Sequence, residues 1–394
     1  MRCIVQKFGG TSVATLERIR NVADIIAKQK ANGDNIAVVV SAMAGVTNKF
    51  VEYVQNLDAS EGDPEYDQVV SSGELVTAGL LAIALKNKGL KSRSYSSWQV
   101  PIRTNGRYGQ AIIENVDPKN LKIDLQQDII PVVCGFQGIS NENRVTTLGR
   151  GGSDLTAVAV ASALNADLCE IYSDVDGVYT VDPNIYPNAK RLEQINYREM
   201  LKMASQGAKV LQEQSVNYAM QKKVIVRVAS SFVEGSGTII SGEISSKQFC
   251  GLAVTHNLSH IRITYENYEN FLKILELLKQ NSVSYEIYKN NHQNKFTILV
   301  DRRKDFFILN LLKNSNFISG IKTEIPRKHL SKISVIGSLG LSLKIYDEMI
   351  AELIKNKIDV IISFLGDGQI DLIIASTQLM DAISFLHKYC GLDK

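Results

Sequence analysis

Four short stretches in the first half of the chain combine glycines with charged or hydroxyl side chains. They are KFGGTS from Lys7, SAMAGVTN from Ser41, LGRGGSD from Leu148 and YSDVDGVYTVDP from Tyr172. Glycine turns can present backbone N–H groups to an anion, and a neighbouring lysine or arginine adds positive charge. These stretches are therefore the first candidates for ligand binding.

The KFGGTS stretch follows an apolar run and precedes a helical pattern. There, Gly9 and Gly10 can bring backbone N–H groups and a helix N-terminus against an anion, with the charge of Lys7 beside them. Neither the G-x-x-x-x-G-K-[ST] phosphate loop nor the G-x-G-x-x-G dinucleotide fingerprint occurs in the sequence. Taken alone, Lys-x-Gly-Gly fits a tight turn with a surface lysine equally well.

The LGRGGSD stretch places an acid, Asp154, beside the glycines, where it would repel a bound phosphate. At the start of a helix over residues 155–164, the same acid would interact favourably with the helix dipole, by roughly 0.3 to 1 kcal/mol. The YSDVDGVYTVDP stretch contains several aspartates but lacks the closing glutamate of an EF-hand, so we do not expect a calcium loop.

Up to about residue 228, short β-branched runs alternate with longer helical patterns, which predicts a mostly parallel sheet covered by helices. The predicted strands are residues 2–8, 36–41, 92–97, 129–135, 168–173 and 224–228. The predicted helices are residues 16–30, 69–88, 155–164 and 209–222. All of these strands except the third end close to a glycine, serine or small polar residue, at the edge where open α/β sheets bind ligands.

Residues 230–246, SSFVEGSGTIISGEISS, are rich in glycine and serine and predict a domain junction. Two similar units follow, each with strand, helix, strand, strand and helix signals, which predicts a pair of ferredoxin-like domains. The signals of the first are residues 261–265, 271–280, 284–288, 296–300 and 306–313, and those of the second are 333–337, 347–355, 360–364, 370–375 and 379–389. His256 and His260 lack a third ligand at metal spacing, so we expect both to be surface histidines.

Composition excludes several classes of protein. The chain has 394 residues and a formal charge of +3, with lysines and arginines scattered along it, so nucleic-acid binding is not expected. Neither a signal peptide nor an apolar run of about 18 residues is evident, so we expect no membrane span. The five cysteines form no C-x-x-C pair, which favours reduced thiols and a cytoplasmic protein.

Five motifs together resemble the aspartate kinases of the amino-acid kinase family. They are KFGGTSV, SSGELVTAG, VTTLGRGGSDLTAVAVASALNAD, EIYSDVDGVYTVDP and GAKVL, in the family's order and approximate spacing. The resemblance implies a kinase domain over residues 1–235, with an open, mostly parallel sheet flanked by helices. It also implies two regulatory ACT domains of ferredoxin-like α+β fold, over residues 250–320 and 325–394.

The implied reaction transfers a phosphoryl group from ATP to the side-chain carboxylate of L-aspartate, giving 4-phospho-L-aspartate. This is the first step toward lysine, diaminopimelate, threonine and methionine. Such transfer needs positioning and neutralisation of charge, for which a lysine and glycine N–H groups are suited. The nucleophile is a carboxylate with an ordinary pKa of about 3.9, already ionised at neutral pH, so no catalytic base is required.

The resemblance also assigns residues to the substrates. For aspartate it implies that Arg150 binds the α-carboxylate and Glu74 the amino group, while Asp154 orients Lys7 at the reaction centre. Ser41 is expected to help position the substrate or Lys7. The remaining residues implied to line the aspartate site are Thr47, Gly151, Gly152 and Ser153.

For ATP, with Mg²⁺ as its companion ion, the implied residues are Lys7, Phe8, Gly9, Gly10, Ser173, Asp174, Tyr179, Asn184, Lys209 and Val210. Asn184 stands where the family usually has an arginine, so either ATP binding is weaker or Lys190 or Arg191 replaces that arginine.

Paired ACT domains in this family bind lysine or threonine, and we expect a homodimer or homotetramer formed through them. The usual Pro-Gly turn is absent from both units: the first has YENYENF at residues 265–271 and the second has GSLGLSLKIYDEM from Gly337. Asp359 replaces an asparagine common in the second unit. These departures predict altered or lost feedback inhibition.

Two alternatives remain at this point. One is another member of the same superfamily, such as an acetylglutamate, glutamate or nucleotide-monophosphate kinase, although these lack the GRGGSD and SDVDG motifs combined with two ACT domains. The other is a non-catalytic amino-acid sensor, which the presence of Lys7, Glu74, Arg150 and Asp154 argues against.

Overall fold

The computed structural model describes residues 1–208, 210–243, 247–281, 283–290, 294–314, 321–337 and 340–393. The chain divides into two compact units. The first comprises Met1–Tyr179 and Arg191–Ser246, and the second comprises Thr180–Lys190 and Lys247–Lys394.

The first unit is an α/β unit. Its strands are β1 (Cys3–Phe8), β2 (Asn35–Val40), β3 (Ser92–Tyr95), β4 (Ile102–Thr104), β5 (Ile113–Val116), β6 (Ile130–Cys134), β7 (Gln137–Ile139), β8 (Val145–Thr147), β9 (Leu168–Ser173), β10 (Gln194–Asn196), β11 (Val226–Ser230) and β12 (Thr238–Ser241). Its helices are α1 (Leu16–Ala31), α2 (Val46–Gln55), α3 (Pro64–Val70), α4 (Ser72–Asn87), α5 (Lys119–Gln126), α6 (Gly152–Leu164), α7 (Tyr197–Ser205) and α8 (Glu213–Lys222).

An eight-stranded sheet in the order β10-β12-β11-β9-β1-β2-β6-β3 forms the centre of this unit. The neighbours from β11 to β3 are parallel, and β12 runs antiparallel to β11. Along β2, Ile36, Val38 and Val40 pack in one core with α1 and α4, while Ala37 and Val39, equally buried, point to the opposite face. Helices therefore cover both faces, and the expected open parallel sheet is confirmed.

Several short elements of the first unit were not predicted. Strands β5, β4, β7 and β8 form a separate four-stranded sheet, in that order. Each has only three or four residues, too few for a clear alternation of polar and apolar side chains. Strand β12 lies inside residues 230–246, the expected junction, and pairs with β10 and β11.

Helix α4 is apolar on all sides. By length and apolarity alone, the helical stretch Pro64–Asn87 could cross a membrane, and half of that apolar window is buried inside the structure. It contacts α1, β3 and β6, and it contains the buried Glu74. We therefore interpret it as a core helix of the first unit.

The second unit contains an antiparallel six-stranded sheet in the order β14-β15-β13-β16-β18-β17. Its strands are β13 (Phe249–Thr264), β14 (Glu286–Asn290), β15 (Lys295–Asp301), β16 (Lys322–Gly337), β17 (Val360–Gly366) and β18 (Gln369–Ala375). Its helices are α9 (Tyr268–Gln280), α10 (Asp305–Lys313), α11 (Leu343–Lys355) and α12 (Leu379–Tyr389).

Two hydrophobic cores share the long strands β13 and β16. One core combines Ile261 and Ile263 with α9 and α10, and the other combines Ile333 and Val335 with α11 and α12. Each has the element order of a ferredoxin-like domain, so the expected α+β pair is confirmed. Leu252, near the start of the expected range 250–320, packs in the second core.

The segment Thr180–Lys190 also packs with the second unit, although it lies inside the expected range 1–235. The carbonyl of Thr180 accepts the Leu252 N–H at 2.6 Å, and its hydroxyl lies 2.9 Å from Nε2 of His387. Val181 is buried in the same core as Leu252.

One of the two expected surface histidines is buried. His256 is exposed, whereas His260 is buried on β13 with Nε2 at 3.1 Å from the Thr297 hydroxyl. The expectation for His260 was wrong because neighbouring strands on both sides cover this part of β13.

Candidate active site

The carboxyl ends of β1, β2, β6 and β9 meet at one edge of the parallel sheet, because neighbouring parallel strands end together. A cavity of about 510 Å³ opens at this edge. It contains every residue that the sequence assigned to aspartate or to catalysis: Lys7, Ser41, Thr47, Glu74, Arg150, Gly151, Gly152, Ser153 and Asp154.

Lys7 and Asp154 form an ion pair inside the cavity. The Lys7 Nζ lies 2.5 Å from the Asp154 Oδ1, and each side chain is only about one-tenth exposed. Lys7 reaches the pair from the end of β1, and Asp154 from the first turn of α6. The Lys7 ammonium also lies close to Gly9, 3.3 Å from where a Cβ on Gly9 would be.

Two glycines near the start of α6, one in the preceding loop and one after β6, leave no room for a side chain. Gly151 has a φ of 69°, and a Cβ there would lie 1.9 Å from Cγ of Gln212. A Cβ on Gly135 at the end of β6 would lie 2.7 Å from the Ser153 side chain. The glycines therefore let the start of α6 approach α8 and the sheet closely.

Arg150 lies on the wall of the cavity and is exposed. Its guanidinium makes no ion pair or hydrogen bond with any residue in the described ranges. An arginine without a protein partner at the mouth of a pocket is well placed to bind a carboxylate bidentately.

Glu74 is a buried carboxyl group inside the cavity. Its Oε1 accepts the Ala42 N–H at 3.0 Å, whereas the buried Oε2 has no hydrogen-bond partner among the described residues. Burial raises the pKa of Glu74 to about 8, and the hydrogen bond from Ala42 partly opposes that shift. At neutral pH, Glu74 therefore keeps its proton in the empty cavity, and a cationic ligand would favour the ionised, accepting form.

Ser41 and Thr47 belong to the segment that leaves β2. The Ser41 N–H donates to the Phe8 carbonyl at 3.1 Å, which fixes the end of β2 beside β1. Thr47 lies in the first turn of α2, after Gly45 with a φ of 83°. Both are half-buried cavity residues.

The KFGGTS stretch differs from the expectation. Helix α1 begins only at Leu16, capped by the Thr15 hydroxyl, so Gly9 and Gly10 lie in a turn and not at a helix N-terminus. The Gly9 N–H donates to the Tyr172 carbonyl at 3.1 Å and is not available to a phosphate. Gly10 does line the cavity.

Phe8 also differs from the expectation that it contacts ATP. Its ring is fully buried and stacks on Tyr172, with the ring centroids 4.9 Å apart. The side chain supports the end of β1 from the core and offers no surface to a nucleotide.

Of the described residues expected to bind the nucleotide, Lys7 and Gly10 line the 510 Å³ cavity and the others do not. Ser173 is the last residue of β9, and Asp174 and Tyr179 follow it. Asp174 is exposed next to Ser173, whose hydroxyl accepts the Val175 N–H at 3.2 Å. The Tyr179 hydroxyl donates to Asp176 at 2.8 Å, and Arg191 approaches the same carboxylate at 3.5 Å.

The three remaining ATP residues are placed as follows. Val210 is half-buried in the first unit. Lys209 lies outside the described residues. Asn184 belongs to the second unit, where it is exposed and its N–H donates to Asp182 at 2.9 Å.

Sequence reasoning missed part of the cavity wall. Its additional residues include Met43, Glu61, Tyr66, Gly109, Phe136 and Thr147. Met43 and Thr147 lie inside two of the quoted motifs, so their position next to Ser41 and Arg150 could have identified them. The other four come from loops and from α3, without a motif that signals them. In the described ranges, no cluster of three or more His, Cys, Asp or Glu residues could hold a metal ion.

Comparison with known proteins agrees with this geometry. Residues 2–230 match the model of the amino acid kinase family. Aspartokinase of Rickettsia felis is 38% identical over 390 residues, covering 95% of this chain and 95% of that protein. Aspartate kinase of Pseudomonas putida is 37% identical over 404 residues, covering 100% of this chain and 98% of that protein.

Among solved structures, E. coli aspartokinase III in complex with aspartate and ADP has a TM-score of 0.77 and 24% identity, covering 98% of this chain and 99% of that chain. The same protein in complex with lysine and aspartate has a TM-score of 0.82 and 22% identity, with the same coverage. At 24% and 22% identity, these two structural matches show that the fold is shared and no more. The match to the family model, together with relatives that align over nearly their whole length, shows that the chain belongs to the aspartokinases, within the amino acid kinase family.

Proposed function

We propose that this chain is an aspartate kinase, which transfers the γ-phosphoryl group of ATP to the side-chain carboxylate of L-aspartate. One observation carries the assignment: a single cavity holds Arg150 and the Oε2 of the buried Glu74, neither of which has a partner among the described residues, together with the Lys7–Asp154 ion pair. These groups match the α-carboxylate, the α-ammonium and the reacting end of aspartate, respectively.

Arg150 binds the α-carboxylate through two parallel N–H bonds, and Glu74 accepts from the α-ammonium through its free Oε2. With both ends of the amino acid held, the side-chain carboxylate points toward Lys7. The carboxylate is already ionised and attacks the γ-phosphorus directly, so no residue has to remove a proton.

Lys7 neutralises charge on the oxygens of the transferring phosphoryl group. Asp154 holds the Lys7 ammonium in place, so that the positive charge is oriented before the substrates bind. The proposed nucleotide contacts are Gly10, Ser173, Asp174, Tyr179, Lys209 and Val210. Arg191 lies near Asp176 and is a candidate for the role of the missing arginine.

Mg²⁺ accompanies ATP in this proposal. It binds mainly to the phosphate oxygens of the nucleotide, as is usual for this ion, with one or two carboxylates at most from the protein. The exposed Asp174 is one such carboxylate.

Trapping of the acyl phosphate with hydroxylamine tests the activity, with L-aspartate and L-glutamate as separate acceptors. A hydroxamate signal with aspartate supports the proposal. A signal with glutamate alone would identify another member of the family, and a signal with neither would favour an amino-acid sensor.

For the second unit we propose two ACT domains, over residues 250–320 and 325–394, the second completed by the first residues of β13. They bind lysine or threonine and join the chains into a dimer or tetramer. The lysine complex of E. coli aspartokinase III supports lysine as the first effector to test. Inhibition of activity by lysine and threonine, separately and together, measures whether feedback is altered. We place the enzyme in the cytoplasm, where its substrates are made.

A further inference from the structure

A second buried carboxylate, Asp67, lies behind the cavity wall and takes no part in the mechanism above. It is on α3 and fully buried. Its Oδ2 accepts the N–H of Thr147 at 2.7 Å, and its Oδ1 accepts the Thr147 hydroxyl at 2.9 Å. The N–H of Gly109 is shared between the two oxygens, at 3.0 and 2.9 Å.

The two residues bound by Asp67 both line the cavity. Thr147 ends β8 and is three residues before Arg150. Gly109 belongs to a loop that touches the Arg150 segment directly, since a Cβ on Gly149 would lie 3.3 Å from the Gly109 carbonyl oxygen. Asp67 thus connects α3, the Gly109 loop and the strand that leads into Arg150.

The arrangement needs an acceptor at position 67. The N–H groups of Gly109 and Thr147 can only donate, and both reach Oδ2 of Asp67, at 2.9 and 2.7 Å. An asparagine could still accept both through one oxygen and donate to the Thr147 hydroxyl, whereas a leucine of similar shape would leave both buried N–H groups without this acceptor. With leucine, the Gly109 loop and the Thr147 strand would then separate.

We propose that Asp67 is a positioning residue for amino-acid binding, which holds Gly109 and Thr147 together and thereby sets the place of Arg150. The inference relies on the proposed function for the identity of the ligand, because Arg150 is taken to bind the α-carboxylate of aspartate. Apart from Lys7 and Gly10, the described residues proposed for ATP do not line the cavity that Asp67 supports, so we expect ATP binding not to depend on Asp67.

Asp67→Leu tests this, with Asp124→Leu as the matched control. Asp124 is equally buried in the same unit, but its partners, Arg93 at 2.6 Å and Tyr95 at 2.8 Å, do not line the 510 Å³ cavity. For Asp67→Leu we expect the KM and the calorimetric Kd for L-aspartate to rise by about tenfold or more, with the KM for ATP within about twofold of wild type. Asp124→Leu should change neither constant by more than about twofold, even if both variants lose thermal stability.

A second pair of variants decides the question if Asp67→Leu does not fold. Thr147→Val removes only the hydroxyl donor, and Thr147→Ser keeps it. We expect Thr147→Val to raise the Kd for aspartate several-fold and Thr147→Ser to stay near wild type. Equal Kd values in this pair would overturn the inference, as would parallel increases in the aspartate and ATP constants of Asp67→Leu.

The kinase assignment and the role of Asp67 can be tested independently of each other. A wild-type protein that binds aspartate without forming an acyl phosphate would overturn the kinase assignment, while the role of Asp67 would still be measured by calorimetry. A wild-type protein that binds no aspartate would overturn both.

Discussion

The ammonium of Lys7 and the carboxylate of Asp154 lie 2.5 Å apart in a nearly buried ion pair, although one ends the first strand and the other begins α6. An isolated acid at a helix N-terminus would stabilise the helix only slightly. Here the acid fixes the direction of Lys7, which lines the cavity at the edge of the sheet and is the only lysine among the described residues to do so, and this gives the acid a role in the reaction.

Asp154→Asn separates these two roles. We expect a large fall in kcat, since Lys7 loses its orientation, with a loss of stability greater than the ~1 kcal/mol of the helix dipole, because a nearly buried ammonium loses its partner. The measurements are steady-state kcat and urea unfolding. Asp381→Asn is the control, because Asp381 is an exposed acid in the first turn of α12. If Asp154→Asn kept a near-normal kcat and lost stability as the control does, only the helix role would remain.

Glu74 should make stability depend on pH. Its pKa is about 8 in the folded chain because of burial, against an ordinary 4.5, so the folded state keeps a proton that the unfolded chain has lost. The free energy of unfolding should therefore be highest below pH 4.5 as far as this group is concerned, and fall as the pH rises from 4.5 through about 8. The slope reaches at most ~1.4 kcal/mol per pH unit.

Urea unfolding between pH 5 and 8 measures this slope. Glu74→Gln should flatten it, whereas Glu17→Gln, in the first turn of α1 and exposed, should leave it as in the wild type. Aspartate binding should also ionise Glu74 and release a proton, which calorimetry in buffers of different ionisation enthalpy detects. A wild-type slope retained in Glu74→Gln would contradict the assignment.

Arg150→Lys keeps the charge but loses the planar pair of donors. We expect the KM for aspartate to rise about tenfold or more with little change in the KM for ATP, because a lysine cannot bind a carboxylate bidentately. Arg144→Lys, in the exposed ion pair with Glu65, is the control and should leave both constants near wild type. Equal effects of the two substitutions would show that Arg150 does not hold the substrate.

Gly151→Ala should disrupt the loop that carries Arg150. A Cβ there meets Gln212 at 1.9 Å in addition to the left-handed φ of 69°. Gly33→Ala has a similar φ of 86° with open space around it, so it isolates the cost of the conformation, about 1 kcal/mol. We expect Gly151→Ala to lose more stability than Gly33→Ala and to lose aspartate binding. If the two variants had comparable melting temperatures and activities, the steric argument would be refuted.

Much of the fold follows from patterns within the sequence. The apolar runs that became β2 and β6 are continuous because both faces of a central parallel strand are buried. In β1 and β9 the runs are interrupted by Gln6, Lys7 and Glu170, which are also buried. The amphipathic and apolar helical patterns predicted the ends of α1 and α12 closely, and they predicted the end of α6 but placed its start at residue 155 instead of Gly152. The short strands β4, β5, β7 and β8 and the strand β12 had no such pattern, since only pairing with distant partners makes them strands.

By itself the sequence determined which charged and small residues surround the site, because the glycine spacing around Arg150 and the strand preceding Lys7 are local properties. The tertiary structure decided how those charges behave. In the folded chain, Lys7 and Asp154 form an ion pair, and the Gly9 N–H is hydrogen-bonded to the carbonyl of Tyr172. The ring of Phe8 is buried, and one oxygen of Glu74 has no hydrogen-bond partner among the described residues. Desolvation and pairing depend on distances between residues far apart in the chain, and a linear pattern does not contain those distances.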